Sequence, residues 1–326
     1  MLRLILSPSV GGTAGYLYDA VAALASSGGE AVLIVPEQYS FAAERIVLER
    51  LGTADAQRVE VLSFTRLANT VFNSVGWDKG KRLNEAGKIL LMSRALEQCA
   101  DKLTVYARSA DSPAVVRELL VLSEEFCQCA ISSEDIVSAM NNMEEGLLKD
   151  KLGDISLVFS VYDSFVSDGW LDDSRMLTRL KDKLAESGYF KNKTVFFDSF
   201  RGFTAQEFGI IGKILTQADD VCVALNAPDL TDVGSDDIFY HTKNTAKKLI
   251  KIANSVDVPC AKPVTVNEPN SDAALDALAK DFLSPEADVF EGECRSIAVV
   301  AAPDIRSECA FIAAQIKKML RTDEYR

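Results

Sequence analysis

A single histidine, His241, serves the whole 326-residue chain, which leaves a His-based nucleophilic triad or a His-rich metal centre almost no material. No run of about 18 uncharged apolar residues occurs, so no membrane-spanning helix is expected. The N-terminus lacks the basic segment, apolar core and cleavage site of a secretory leader, and the expected compartment is the cytoplasm. Seven cysteines stand at 99, 127, 129, 222, 260, 294 and 309 without one C-x-x-C pair. The closest two, Cys127 and Cys129, are separated by one residue, which suits neither a zinc knuckle nor a redox pair. Reduced, mostly buried thiols are expected. Positive charge is also short: 35 Lys and Arg face 48 Asp and Glu, a net charge of −13. That balance excludes a broad polyanion-binding surface, so a nucleic-acid role would need a confined basic or stacking groove, or a partner that supplies the positive field.

What is present suffices for about two domains with real cores, since 48% of the residues are apolar. Short apolar runs at 2–6 (LRLIL), 31–36 (AVLIVP), 59–64 (VEVLSF), 194–200 (TVFFDSF) and 220–225 (DVCVAL) predict strands of a parallel sheet covered on both faces. Helical patterns at 16–25, 40–51 and 65–74 supply the crossovers. From about 83 to 188 the pattern is nearly all helix, with cap-forming residues such as Ser132-Ser133-Glu134-Asp135 at segment starts. The segments 228–239 and 265–272 are polar and turn-rich, and flank a helix at 242–255 that begins near His241. A new strand is expected at 295–302 (RSIAVVAA) and a helix at about 305–320. One strand and one helix do not close a parallel sheet, so the chain reads as the front part of something longer.

Four stations carry the chemistry, each just past a strand, where open α/β sheets bind ligands. The first, Ser7 to Ala14 (SPSVGGTA), lies where a phosphate-binding loop would sit. Such a loop needs curled backbone N–H groups, a Lys for the β- and γ-phosphates and a Ser or Thr for Mg²⁺. Of that pattern Gly12 remains, beside Gly11; Thr13 replaces the Lys, Ala14 replaces the Mg²⁺ hydroxyl, and Pro8 removes a donor. The second station is Val35 to Phe41 (VPEQYSF). Glu37 and Ser40 suit an ordinary helix start, whereas Gln38 and Tyr39 are not needed for capping. The third is Ser63 to Asn69 (SFTRLAN), where Arg66 beside Phe64 suits a phosphate clamp with a stacking ring, or else a core ring with a snorkelling Arg. The fourth, Thr194 to Thr204 (TVFFDSFRGFT), ends an apolar run in Asp198, the position of a metal-holding carboxylate. Ser199 follows where a motor has its catalytic Glu. Phe200 and Phe203 flank Arg201, either stacking on bases or packing under the loop. Lys, hydroxyl and Glu are missing together, and Met1 starts the first strand directly, without an upstream adenine-binding element.

The order of these stations, with VPEQYSFAAE, VLSFTRLANTVF, GWLDDSRML, VFFDSFRGFTAQE and IAVVAAPDIRSECAFIAAQI, resembles the N-terminal region of AddB and RexB, B subunits of AddAB helicase–nucleases, with RecC more distant. The resemblance spans essentially the whole chain. It implies a RecA-like α/β fold: a parallel sheet over 1–82 and 189–230, an all-helical insertion over 83–188, and a linker with the start of a second RecA-like domain over 231–326. It further implies a place in double-strand-break resection and homologous recombination, beside an AddA-like subunit that carries the active UvrD-like motor and acts on single-stranded DNA and duplex ends. The family's nuclease domain and iron–sulfur cysteines belong to a missing C-terminal part, so no cofactor is expected here. Thr13 and Ala14 depart from family members with an intact loop and argue against ATP and Mg²⁺. Carried over by position, the DNA-facing residues are Gln38, Ser40, Phe64, Arg66, Asn69, Phe200 and Phe203; Asn69 stands where the family often has an aromatic, and Arg175 where an acidic residue is common. The leading expectation is a silent helicase-like module that reads single-stranded DNA in a Chi-type manner. A weak NTPase using Asp198 and backbone amides, and a scaffold for the AddA-like partner, remain as alternatives.

Overall fold

The computed structural model describes residues 1–9, 11–231, 234, 235, 237–266, 272–281 and 288–322. Residues 232, 233, 236 and 267–271 of the predicted turn-rich segments, and Val10 of the first station, lie outside that set. The chain divides into Met1–Asn267 and Glu268–Arg326.

In the first unit, β1 (Leu2–Ser7), β2 (Glu30–Ile34), β3 (Val59–Leu62), β6 (Lys193–Phe197), β7 (Asp220–Asn226) and β8 (Val264–Thr265) form a parallel sheet in the order β3-β2-β6-β7-β1-β8. The period of two explains the apolar runs. Leu2, Leu4 and Leu6 of β1, Val32 and Ile34 of β2, Val195 and Phe197 of β6, and Val221, Val223 and Leu225 of β7 share one core. Their neighbours Ile5, Ala31, Leu33, Phe196, Cys222 and Ala224 share the core on the opposite face. A strand buried on both sides has no polar position to alternate with.

Helices α1 (Ala14–Ser26) and α2 (Ser40–Ala56) cover the second face through Leu17, Tyr18, Val21, Ala43 and Val47. Gly52, at φ 69°, breaks the helical path of α2 directly after the predicted end at Leu51, a conformation glycine adopts without a Cβ penalty. The first face is covered by α3 (Phe64–Val75), α8 (Met176–Ser187), α9 (Ala205–Leu215) and α10 (Tyr240–Ser255).

Between α3 and α8 lie α4 (Glu85–Cys99), α5 (Pro113–Gln128), α6 (Ser133–Asn141) and α7 (Leu147–Ser167), with the two-residue strands β4 (Lys81–Arg82) and β5 (Trp170–Leu171) pairing at their base. These helices have their own core, from Leu83 through Met92, Leu96 and Leu119 to Tyr162 and Val166. Ser132 and Asp135 close a reciprocal capping box at the start of α6, as the segment SSED predicts. Buried Asp154 of α7 accepts bonds from the backbone N–H groups of Thr104, Val105 and Tyr106 at 2.7–3.1 Å, fixing the loop between α4 and α5. Lys88 of α4 bridges Glu124 and buried Asp172, each at 2.8 Å. Arg175, unexplained by the sequence, pairs with Asp163 and lies over the Tyr162 ring.

Several expectations need correction. Leu180 and Leu184 of α8 pack into the sheet core, so the separate helical core stops at Val166, short of the expected 188. Ala246, Leu249 and Ala253 of α10 also enter the sheet core, and β8 pairs with β1, so the first unit runs well past 231. The stretch 295–302 is not a strand: Val299 is 94% exposed, and among the described residues no strand lies beside it to give its backbone a ladder to join. All seven cysteines are free, yet only Cys99 and Cys222 are buried; Cys129, Cys260, Cys294 and Cys309 are exposed.

In the second unit, α11 (Ala273–Asp281) precedes α12 (Ile305–Arg321). The Asp304 side chain caps α12 by accepting from the Ser307 N–H at 2.7 Å. No described helix is long and apolar enough to cross a membrane.

Candidate functional site

Strand register brings the four stations to one edge. Ser7 at the end of β1 is level with Asn226 of β7, and Ile34 of β2 is level with both Leu62 of β3 and Phe197 of β6. The described residues that follow, at 8, 9, 11–13, 35–41, 63–69 and 198–204, therefore emerge along the carboxyl edge of the sheet.

The first station is folded in on itself. The Ser7 and Ser9 hydroxyls are 3.1 Å apart, the Ser9 N–H donates to the Ser7 hydroxyl, and the Gly12 N–H donates to the Ser9 carbonyl. Gly11 takes φ 78°, and its carbonyl accepts from the Ala14 N–H. A Cβ on Gly12 would clash with the Ser9 and Ser7 hydroxyl oxygens, so serine side chains fill the cradle that a phosphate would need. Thr13 is buried and makes no side-chain capping bond. Asn226 closes the floor by donating from Nδ2 to the Ser7 carbonyl at 2.9 Å.

Asp198 is buried among groups of the protein itself. Its carboxyl interacts with the Ser199 hydroxyl at 3.3 Å and with the Tyr18 hydroxyl from α1. Burial pushes the Asp198 carboxyl above the usual carboxylate range, against the bonds from Ser199 and Tyr18 that pull it down. The Tyr18 phenol is raised in turn, first by burial and then by the Asp198 charge. Because this acid resists ionisation in the folded state, its stabilising contribution is full at low pH and is lost as pH climbs from the ordinary carboxylate range through the folded value. Asp198→Asn is therefore expected to raise the melting temperature at pH 7 by a few degrees, with the gap closing toward pH 4. Calorimetry at the two pH values checks this.

The second and third stations are more open. Gln38 and Tyr39 are exposed in a single 3₁₀ turn, Glu37–Tyr39, and Phe41 is 78% exposed. Ser40 does not cap α2: its hydroxyl is buried and has no hydrogen-bond partner among the described residues. Ser63 does cap α3, accepting from the Arg66 N–H at 3.2 Å. The Arg66 guanidinium reaches Glu44 of α2 at 2.6 Å, with both side chains about two-fifths exposed. Asn69 is half-buried one turn further along α3.

The aromatics behave differently from a set of free stacking faces. Phe64 is buried, with its ring 6.2 Å from Phe197, 5.8 Å from Phe200 and 6.4 Å from Phe203. It is core, which corrects its placement as DNA-facing. Phe200 and Phe203 are half-buried and lie 4.8 Å apart on top of it. Ser199 at φ 64° turns the chain into their loop.

Two features escape the sequence reading. Tyr18 lies in an ordinary amphipathic helix, and only the fold brings it to Asp198. A groove of about 450 Å³ lies between the 201–203 loop and α10, lined by Arg201, Phe203, His241, Lys247, Lys248 and Lys251. Lysines in the run TKNTAKKLIK are its signal in the sequence, and they read as an ordinary solvated helix face until the loop is placed opposite them.

The parallel sheet, its two helical layers and the inserted helices define a RecA-like α/β protein. The family model described as "ADDB, N-terminal" matches residues 4–279, and the chain belongs to that family. It is 30% identical over 303 residues to the B subunit of the ATP-dependent helicase/deoxyribonuclease of Caldanaerobacter subterraneus subsp. tengcongensis, covering 90% of this chain and 26% of that protein. Proteins of the same name are 31% identical over 304 residues in Ruminiclostridium cellulolyticum and 28% identical over 333 residues in Clostridium acetobutylicum. Those matches cover 90% and 100% of this chain and 26% and 29% of the relatives, so the chain spans about a quarter of their length. The relatives' name includes ATP. The residues here do not fit a nucleoside triphosphate with Mg²⁺: the loop's Gly12 and Ala14 N–H groups are bonded internally, serine hydroxyls fill the cradle, and Asp198 is tied to Ser199 and Tyr18.

Proposed function

We propose that this chain is the DNA-reading front of an AddB-type protein in double-strand-break resection and homologous recombination, with an AddA-like subunit as its motor partner. The sheet edge binds single-stranded DNA in a Chi-type manner and does not hydrolyse ATP. The observation that carries the reading is the contrast along that edge. The nucleotide loop spends its polar groups on itself, whereas Gln38 and Arg66 stand beside it with exposed polar groups to offer; Ser40, whose hydroxyl is buried, does not.

In this reading Gln38 offers an amide to base edges. Arg66 holds a phosphate, and Asn69 lies one turn beyond it. Phe200 and Phe203 form a ring platform at the end of the path, supported from below by Phe64. The Arg66–Glu44 pair does not prevent this, because half-exposed ion pairs are worth about 0–1 kcal/mol and exchange partners readily. The two residues should therefore act in opposite directions. Arg66→Ala is expected to weaken oligonucleotide binding several-fold and to lower the slope of log K against log salt by about 0.7, the value for one phosphate contact on a single strand. Glu44→Gln is expected to strengthen binding, by up to about fivefold. Fluorescence anisotropy with a labelled single strand measures both; equal, unchanged affinities in the two variants would remove Arg66 from the DNA path.

A further inference from the structure

The basic groove on α10 is not part of the edge just described, although Phe203 borders both. Its cations come from two elements with no sequence relation: Arg201 from the loop after β6, and Lys247, Lys248 and Lys251 from one side of α10. Gly202 lets the loop lie against the helix, since a Cβ there would come within 3.3 Å of the Thr245 hydroxyl oxygen. The face is built around a half-buried ring, with Lys248 Nζ 5.6 Å from the centre of the neighbouring Phe208 ring. Among the described residues neither Arg201 nor Lys251 has an acidic partner within ion-pair distance. Lys243 shows what such partners do here: it is buried and paired with Asp229 at 3.2 Å and Asp237 at 3.1 Å, and so is consumed by the fold.

Arg201 and Lys251 line one groove without acidic partners among the described residues, so their charge is open to a bound anion in a chain whose net charge of −13 otherwise repels one. The spacing along α10 points to an extended anion. Lys247 and Lys251 are one turn apart, about 6 Å along the axis, with Arg201 on the opposite wall. We infer that this groove seats the phosphodiester backbone of the single strand, carrying it past Phe203 and away from the sheet edge. The inference rests on the single-strand reading proposed above, and deepens it by adding a second, sequence-independent contact. Contacts of this kind position a strand and carry no base information.

The test is anisotropy of labelled oligo(dT) and of a mixed-sequence single strand with the 326-residue chain and its Lys248→Gln/Lys251→Gln variant, over a range of salt. Both lysines are exposed on the helix surface, so the variant is expected to fold, and circular dichroism checks this. The expected result is weaker binding by the same factor on both oligonucleotides, with the salt slope reduced by about 1.4 for two lost phosphate contacts. An unchanged slope in the folded variant, with wild-type binding intact, overturns the groove and leaves the edge reading standing. Absence of binding by the wild-type chain overturns both. Displacement of the oligonucleotide by poly-glutamate of matched charge at lower concentration, lost in the same variant, overturns the assignment in favour of an acidic polypeptide.

Discussion

Phe64→Ala is expected to lower the stability of the first unit by about 3–5 kcal/mol, the range for emptying a buried phenylalanine site. The ring is buried at the start of α3, with Phe197 on the strand beside it and Phe200 and Phe203 above. Removing it leaves a void that Phe200 and Phe203 cannot fill without giving up their edge-to-face packing on this part of the core. In urea the midpoint should fall with an unchanged m-value, and Phe64→Leu should lose much less. If Phe64 were instead a base-stacking residue, alanine would cost affinity while stability stayed near wild type. The experiment thus separates a ring that supports the site from one that touches the ligand.

Asp154→Ala is expected to be equally damaging, in the helical insertion. One carboxylate serves three consecutive backbone donors, at Thr104, Val105 and Tyr106. Buried donors left without acceptors cost about 1–3 kcal/mol each, so a total loss of about 3–5 kcal/mol is expected, allowing for partial access of water to the loop. Asp154→Asn keeps one acceptor oxygen and should lose less. Because α4 to α7 have a core separate from the sheet, the damage should show first as faster hydrogen exchange in that core, while the sheet keeps its protection. Uniform loss of protection across both cores would mean that they unfold as one unit.

The sheet was legible because burial on both faces writes itself as short uninterrupted apolar runs: the five strands predicted between residues 2 and 225 are present, and the four stations share one edge. The strand expected at 295–302 has the same apolar look as β7, but a strand exists only where another lies beside it, and composition does not report neighbours. The same limit applies at the site. Ser63 and Ser40 each precede or open a helix, yet one caps and the other buries a hydroxyl without a partner among the described residues. Phe64 and Phe41 both sit beside a polar cluster, yet one is core and the other 78% exposed. Tyr18 had no local signal beyond helical periodicity, and the α10 lysines showed only as a basic run on a helix, because their roles come from what the fold sets opposite them. Conversely, losses were easy to read. Thr13 and Ala14 stand where a phosphate loop needs specific side chains, and the internal bonding of the loop follows from the serines that take up the space.

In the proposed reading this chain binds single-stranded DNA without using nucleotide. The most direct measurement is the affinity of the 326-residue chain for a labelled single-stranded oligonucleotide, with and without Mg²⁺-ATP, beside the Gln38→Ala/Arg66→Ala variant. Saturable, salt-sensitive binding is expected that is the same with and without Mg²⁺-ATP and is lost in the folded variant. Absence of saturable binding, or binding that appears only with Mg²⁺-ATP, would contradict it.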